Sequence, residues 1–222
     1  MANIITTADG SHSLFVAELN EHYHSVHGAI QESEHVFINH GLRAVDSEKK
    51  KIRILEIGMG TGLNVFLTFL YSVSSSGYID YTAIEPFPLE VATIKALNYV
   101  GLLKAEKHSD IFSTIHSSPW NEKGYHLSDT FLFEKVKNKI QEIDFAEPFD
   151  LVYFDAFAPR SQPEMWTGEV FNRLFSVMSR GGIIVTYCAK GEVKRTMKNS
   201  GFTVETLPGP PGKREMTKAI RR

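Results

Sequence analysis

The chain is poor in several things, and each scarcity closes off a class of protein. It carries one cysteine, Cys188, so no internal disulfide is available. That thiol lies within an apolar strand pattern and reads as a buried structural group. No apolar run reaches membrane-spanning length, and the N-terminal Met-Ala-Asn-Ile-Ile-Thr-Thr lacks a basic region followed by a hydrophobic one. A soluble, cytoplasmic protein with no membrane contact is the expectation. Charge of one sign is also lacking: the net charge is −2 and the pI is near 6.5, which argues against nucleic-acid binding through overall charge. Internal repeats, low-complexity tracts and linkers are absent, and 222 residues suffice for one α/β domain but not for two of ordinary size. Residues 1–222 are therefore read as one domain.

The most informative stretch that is present is Ile-Leu-Glu56-Ile-Gly58-Met59-Gly60-Thr61-Gly62-Leu63-Asn64. An apolar strand runs into a loop with three glycines and then into a helix-compatible segment. Glycine has no Cβ, so the chain can turn sharply off the strand and bring its N–H groups close to a ligand. A dinucleotide fingerprint wants its third glycine three positions after the second, where this chain has Leu63, which weakens an NAD reading. The order of acid, any, Gly, any, Gly, any, Gly instead resembles motif I of class I S-adenosylmethionine methyltransferases.

Strands are predicted over Ile52–Ile57, Tyr78–Ile84, Phe131–Val136, Asp150–Phe154 and Ile183–Tyr187, with helices over 64–73 and Leu89–Tyr99 between the first of them. The alternation implies a mostly parallel sheet covered on both sides. The ending differs. Phe202–Leu207 and Met216–Ile220 are joined by Pro-Gly-Pro-Pro-Gly-Lys-Arg-Glu, too short for a crossover helix, so they should pair as an antiparallel hairpin. The fold class expected is thus α/β, Rossmann-like, with a seven-stranded sheet of the class I methyltransferase kind. Residues 1–50 would form an N-terminal extension packing on the domain, and 105–135 an insertion.

Three places carry candidate chemistry. Glu85 closes the second strand, where an acid can accept from both ribose hydroxyls of an adenosine cofactor, without choosing between NAD and S-adenosylmethionine. Asp155 ends the fourth strand, where central strands meet ligands. A carboxylate there can fix the N–H groups of an amine nucleophile and take up the proton released on alkylation. Capping of the loop would use the same residue. Phe157 and Pro159 offer a flat apolar wall for a base, or simple packing of the loop. From Lys190 onward nine basic residues (Lys190, Lys194, Arg195, Lys198, Lys213, Arg214, Lys218, Arg221, Arg222) face three acidic ones (Glu192, Glu205, Glu215). This is either a phosphate-contacting face or an ordinary solvated one. Within it Lys213 and Arg214 are placed to engage phosphates or a base edge, with a salt bridge as the other reading of Arg214. Six histidines lie between His12 and His40, but His22, His24 and His27 cannot share one helical face, so no metal site is expected.

Taken together, Ile-Gly-Met-Gly-Thr-Gly-Leu-Asn, Glu-Pro-Phe-Pro-Leu, Phe-Asp-Ala-Phe-Ala-Pro…Pro-Glu-Met-Trp and Gly-Lys-Arg-Glu-Met resemble the methyltransferase module of the MnmC family of tRNA wobble-uridine modification enzymes. The similarity extends to Tyr23-His-Ser25, Glu32-Ser-Glu-His and Trp120…Gly124-Tyr-His126, and so covers nearly the whole chain in order. The resemblance implies S-adenosyl-L-methionine as cofactor, held by Glu56, Gly58, Met59, Gly60, Thr61, Gly62, Asn64 and Glu85, and Asp155 as the catalytic aspartate. It implies methylation of 5-aminomethyl-(2-thio)uridine in the anticodon stem-loop of tRNA to the 5-methylaminomethyl form. Bifunctional relatives add an FAD-dependent oxidase domain. This chain ends where that domain would begin, so FAD is not implied and a separate enzyme would supply the aminomethyl group. Relatives also tend to place a Gly-Asp pair after the third strand, where this chain has Asn138-Lys139 or a shifted Asp144, which leaves the adenine contact open. A sulfonium is already activated, so the protein supplies orientation and a proton acceptor. Two rivals remain: a small-molecule amine methyltransferase or aminopropyltransferase, which predicts an acid-lined pocket, and a non-catalytic tRNA-binding module.

Overall fold

A computed structural model describes residues 2–45, 49–122 and 124–222. The chain opens with a small antiparallel sheet of β1 (Ala2–Thr6), β2 (His12–Val16) and β3 (Glu21–His22). A short helix α1 (Ala29–Ser33) and a wide helical turn over Glu34–Asn39 follow. The main sheet then begins: β4 (Lys51–Ile57), α2 (Leu63–Ser72), β5 (Tyr78–Ile84), α3 (Val91–Lys95), α4 (Tyr99–Leu102) and α5 (Ser109–Ser117). It continues with β6 (Tyr125–Ser128), β7 (Phe131–Val136), β8 (Phe149–Phe154), α6 (Gly168–Val177), β9 (Met178–Thr186), α7 (Gly191–Asn199), β10 (Thr203–Pro208) and β11 (Glu215–Ile220).

The strand order across the sheet is β10-β11-β9-β8-β4-β5-β7-β6. The pairs β4·β5, β4·β8, β5·β7 and β8·β9 are parallel. The closing hairpin is antiparallel, with Thr203 opposite Ile220, and β11 inserts antiparallel to β9. One strand exceeds the seven expected: β6 adds antiparallel to β7 at the edge. It is short and, Leu127 apart, unburied, so it has no apolar pattern to read. Of the predicted helix over Leu89–Tyr99 only Val91–Lys95 is helical, and a second short helix, Tyr99–Leu102, starts where the prediction ends. The break falls at Asn98, whose side chain accepts from His12 N–H at 2.8 Å and donates to the Gly10 carbonyl at 2.9 Å. That long-range anchoring outweighs the local helical spacing.

Strand alternation sorts the core into two layers. Ile54 and Tyr153 point to the face covered by α1, α2 and α5, where Phe37, Phe66, Phe131 and Phe133 pack. Leu55, Val152 and Phe154 point to the other face, against Trp166, Phe171, Leu174 and Met197 of the segment running through α6 and α7, and Cys188 is buried there. Burial of each such aromatic or aliphatic side chain stabilises the fold by about 1.5–3 kcal/mol. Both layers leave the carboxyl ends of β4, β5 and β8 pointing at one crevice, where open α/β sheets bind ligands.

Candidate active site

β4 ends at Ile57, and the chain turns at once. Gly58 and Met59 both donate to the Ile84 carbonyl, at 3.0 and 3.2 Å, and Asp155 N–H donates to the Ile57 carbonyl at 2.9 Å. These bonds tie together the ends of three adjacent strands. Gly58 has φ +89°, and a Cβ on it would stand 2.6 Å from the Asp155 carbonyl, so only glycine fits this turn. Gly60, at φ +47°, leaves room for the Tyr23 ring. The N–H of Gly60 donates to Glu85 Oε2 at 3.0 Å, and Phe87 N–H donates to Glu85 Oε1 at 2.9 Å. Glu85 is thus fixed by two backbone donors at the end of β5. Burial pushes its carboxyl above the ordinary range while the two N–H groups pull it back.

A cavity of about 890 Å³ opens in front of this turn, within the size range of small-molecule sites. Of the residues expected at the site, Gly58, Met59, Gly60, Thr61, Glu85, Asp155, Phe157 and Lys213 line it. Glu56, Gly62, Asn64, Pro159 and Arg214 are not on its wall. Glu56 is fully buried at 0% exposure, one layer behind, where it accepts from Asn64 Nδ2 and from Tyr81 OH, each at 2.9 Å. Burial holds its carboxyl well above the usual range, and its complete burial keeps it off the cavity wall. Asn64 also donates to Asp155 Oδ2 at 2.9 Å. Gly62 faces the His116 ring, and Arg214 points to solvent.

Asp155 is the group with the clearest chemical bias. Burial, and next the negative charge of Glu32, push its carboxyl up to about 7, against the opposing effects of Asn64 and Lys213. Phe157 beside it meets Tyr23 edge-on at 5.0 Å, and its backbone is fixed by Gln162 Oε1 and Trp166 Nε1–H. Sequence reasoning gave no role to Glu32, Tyr187, His24 or Gln141. Glu32 is buried, accepts from Ser25 N–H at 2.7 Å and is paired with Lys213. The ammonium of Lys213 lies 3.9 Å over the Tyr187 ring, and Tyr187 OH donates to the Ala156 carbonyl at 2.8 Å. His24 Nε2 meets Thr61 Oγ1 at 2.8 Å, and burial lowers its pKa to about 4, so it stays neutral. The signal for Glu32 and Tyr23 lay in motifs quoted without a role, and Tyr187 was read only as a strand end.

The C-terminal basic face is less basic than its count. Lys190, Lys194 and Lys218 pair with Glu192, Glu215 and Glu205, the three acids of the same segment. Asp144 lies off the cavity, paired with Arg173. The position after β7 that faces the cavity is instead Asn138 to Glu142, and Gln141 Oε1 there is buried with no hydrogen-bond partner among the described residues.

A parallel sheet closed by an antiparallel hairpin, with ligand-facing strand ends of this kind, is the architecture of the Rossmann-like class I methyltransferases. The chain belongs to the S-adenosyl-L-methionine-dependent methyltransferase family, whose sequence profile matches residues 106–222. Among curated proteins it is 29% identical over 212 residues to the tRNA 5-methylaminomethyl-2-thiouridine biosynthesis bifunctional protein MnmC of Magnetococcus marinus, covering 90% of this chain and 31% of that protein. The chain therefore spans about a third of the length of the curated relatives it matches. Among solved structures, MnmC2 from Aquifex aeolicus superposes with a TM-score of 0.80 at 25% identity, covering all of this chain and 70% of that one. Spermidine synthase from Thermotoga maritima shares the fold, with a TM-score of 0.53 at 12% identity over 100% of this chain and 71% of that one.

The residues present fit the family's cofactor. The glycine turn brings backbone of Gly58 and Gly60 onto the cavity wall, Glu85 keeps unused lone pairs beside it for ribose hydroxyls, and the orphaned Gln141 Oε1 is an acceptor suited to an exocyclic amine. S-adenosyl-L-methionine supplies an activated methyl group when bound. Among the described residues no helix is long and apolar enough to cross a membrane.

Proposed function

We propose that this chain methylates the primary amine of 5-aminomethyl-(2-thio)uridine at the wobble position of tRNA, with Asp155 as the catalytic residue. The observation that carries the reading is the Asp155 carboxyl, poised at about 7 on the wall of the cavity. A primary alkyl ammonium resembles lysine, with a pKa of about 10.4, and it has no lone pair until it loses a proton. An ordinary aspartate, at about 3.9, is a poor acceptor for that proton. Raising the carboxyl to about 7 removes roughly three units of the mismatch, worth about 4 kcal/mol. Asn64 fixes one oxygen of Asp155, which orients the other toward the amine. Phe157 with Tyr23 forms the apolar wall against which the pyrimidine lies, with Pro159 behind it. Gly58 to Thr61, with Met59 beneath, and Glu85 hold the adenosine part of the cofactor.

The anticodon stem-loop is the proposed macromolecular partner, and exposed Arg214 is placed for its phosphates. The names of the relatives in Magnetococcus and Aquifex support this reading. A second reading is favoured by one observation: the cavity wall carries Glu21, Glu32, Glu85, Glu142, Asp155, Glu164 and Glu169 against Lys139 and Lys213. Such a wall suits a small polyamine.

Transfer of radiolabelled methyl to tRNA lacking the final methyl, with spermidine as the competing acceptor, separates the two. Label recovered in 5-methylaminomethyluridine and lost in Asp155→Ala is the expected result. Label in spermidine alone overturns the tRNA reading in favour of the second.

A further inference from the structure

Lys213 was read as engaging either phosphates or a base edge, and its ammonium points inward. Its ammonium is paired with the buried Glu32 carboxylate and covers the face of Tyr187 at 3.9 Å. Glu32 is held in turn by Ser25 N–H at 2.7 Å. The turn that carries Lys213 is seated on the N-terminal segment: Gly212, at φ +81°, has the His27 ring where a Cβ would be. An ammonium already neutralised by a buried carboxylate is a poor phosphate ligand. It remains a donor-only group, with three protons. One goes to Glu32, a second addresses the ring face, and the third is left for the cavity that Lys213, Glu32 and Asp155 all line.

The chemistry of the substrate says what that proton meets. In a 5-aminomethyluracil the substituent on C5 is adjacent to the C4 carbonyl, so a base whose amine is held by Asp155 presents O4 to whatever stands beside that carboxylate. We infer that Lys213, aimed by Glu32 and Tyr187, donates a hydrogen bond to O4 of the target pyrimidine and thereby selects uracil over cytosine. Cytosine places an N4 amino donor at the same point, where it meets an ammonium with no acceptor to offer. This rests on the reading of the site as a wobble-uridine methyltransferase, and it adds the base-reading residue to it.

The test uses two synthetic anticodon stem-loops that differ only in carrying 5-aminomethyluridine or 5-aminomethylcytidine at the wobble position. Methyl transfer is measured with the wild-type chain, Lys213→Met and Lys213→Arg. Wild type should prefer the uridine by about 100-fold or more in kcat/KM, as sites built on a polar contact do. Lys213→Met should reduce that ratio by at least about tenfold, through loss on the uridine, while Lys213→Arg keeps most of it. A structural role alone would depress both substrates equally and leave the ratio unmoved, and that result overturns the inference. Equal use of both bases by wild type overturns it as well, whether or not the variants fold. Cofactor binding by wild type with neither stem-loop methylated would instead bring down the wobble-uridine reading itself.

Discussion

Asn64 bridges Glu56 and Asp155: its Nδ2 donates to Glu56 Oε1 and to Asp155 Oδ2, each at 2.9 Å. One amide thus orients the group at the cavity wall by leaning on a buried carboxyl behind it. Its hydrogen bond favours the charged form of Asp155. Asn64→Ala should therefore raise the midpoint of the pH profile of kcat/KM above its wild-type position near 7 and lower activity at pH 7 by about 10-fold or more. A profile measured from pH 5 to 9 checks both.

Asp155→Asn should abolish methyl transfer and stabilise the protein at alkaline pH. The folded carboxyl titrates at about 7, above its unfolded value near 3.9. Its stability term is therefore complete below pH ~4 and is lost as pH rises through 7. The amide removes that loss. Partial exposure of Asp155 on the cavity wall reduces the full shift to about 1–2 kcal/mol, or roughly 3–6 °C for a chain of this size. Melting curves should show a gain at pH 8 and little at pH 5.

Glu32→Gln should move the same activity profile down. The Glu32 charge raises the Asp155 carboxyl, so its removal lets the carboxylate form at lower pH, and the rising limb should shift to the acid side. The measurement is kcat/KM against pH with saturating cofactor. An unshifted limb with reduced height would mean Glu32 acts only by holding Ser25 and Lys213.

Glu85→Ala should weaken cofactor binding by about 10- to 100-fold, judged by calorimetric titration with S-adenosyl-L-methionine. The substitution removes the acceptor for the ribose hydroxyls and leaves the N–H groups of Gly60 and Phe87 without theirs. Loss of charge-assisted bonds of this kind costs about 1.5–3 kcal/mol each.

Gly58→Ala should be strongly damaging. It places a Cβ 2.6 Å from the Asp155 carbonyl at φ +89°, and both neighbours are backbone that cannot step aside. A loss of about 2–4 kcal/mol in urea denaturation is expected, together with loss of cofactor binding.

Much of this architecture was legible in the residues. Tyr78–Ile84 and Phe131–Val136 were read to the residue, because both are rich in aromatic and β-branched residues and turn residues bound them. The hairpin followed from a connection too short to hold a helix. What escaped were features set by distant partners. The break at Asn98 depends on His12 and Gly10. The inward aim of Lys213 depends on Glu32, whose burial no local pattern announces. Glu56 was read as a ligand contact because its place in the glycine motif is close to the cofactor in sequence. The strand alternation that sends Ile57 forward holds Glu56 behind, with Tyr81 and Asn64.

The pairing of Glu32 with Lys213 joins residues 181 positions apart. During synthesis at about 5–20 residues per second, the glycine turn, Glu85 and Asp155 exist well before Lys213. A nascent chain released after β9 would carry the glycine turn, Glu85 and Asp155, yet leave the carboxylate of Glu32 unpaired and the β9 edge bare. Closure of the last hairpin is therefore a late, long-range event of the sort that slows folding. It makes the β10–β11 hairpin the step at which the crevice at the ends of β4, β5 and β8 gains a complete wall.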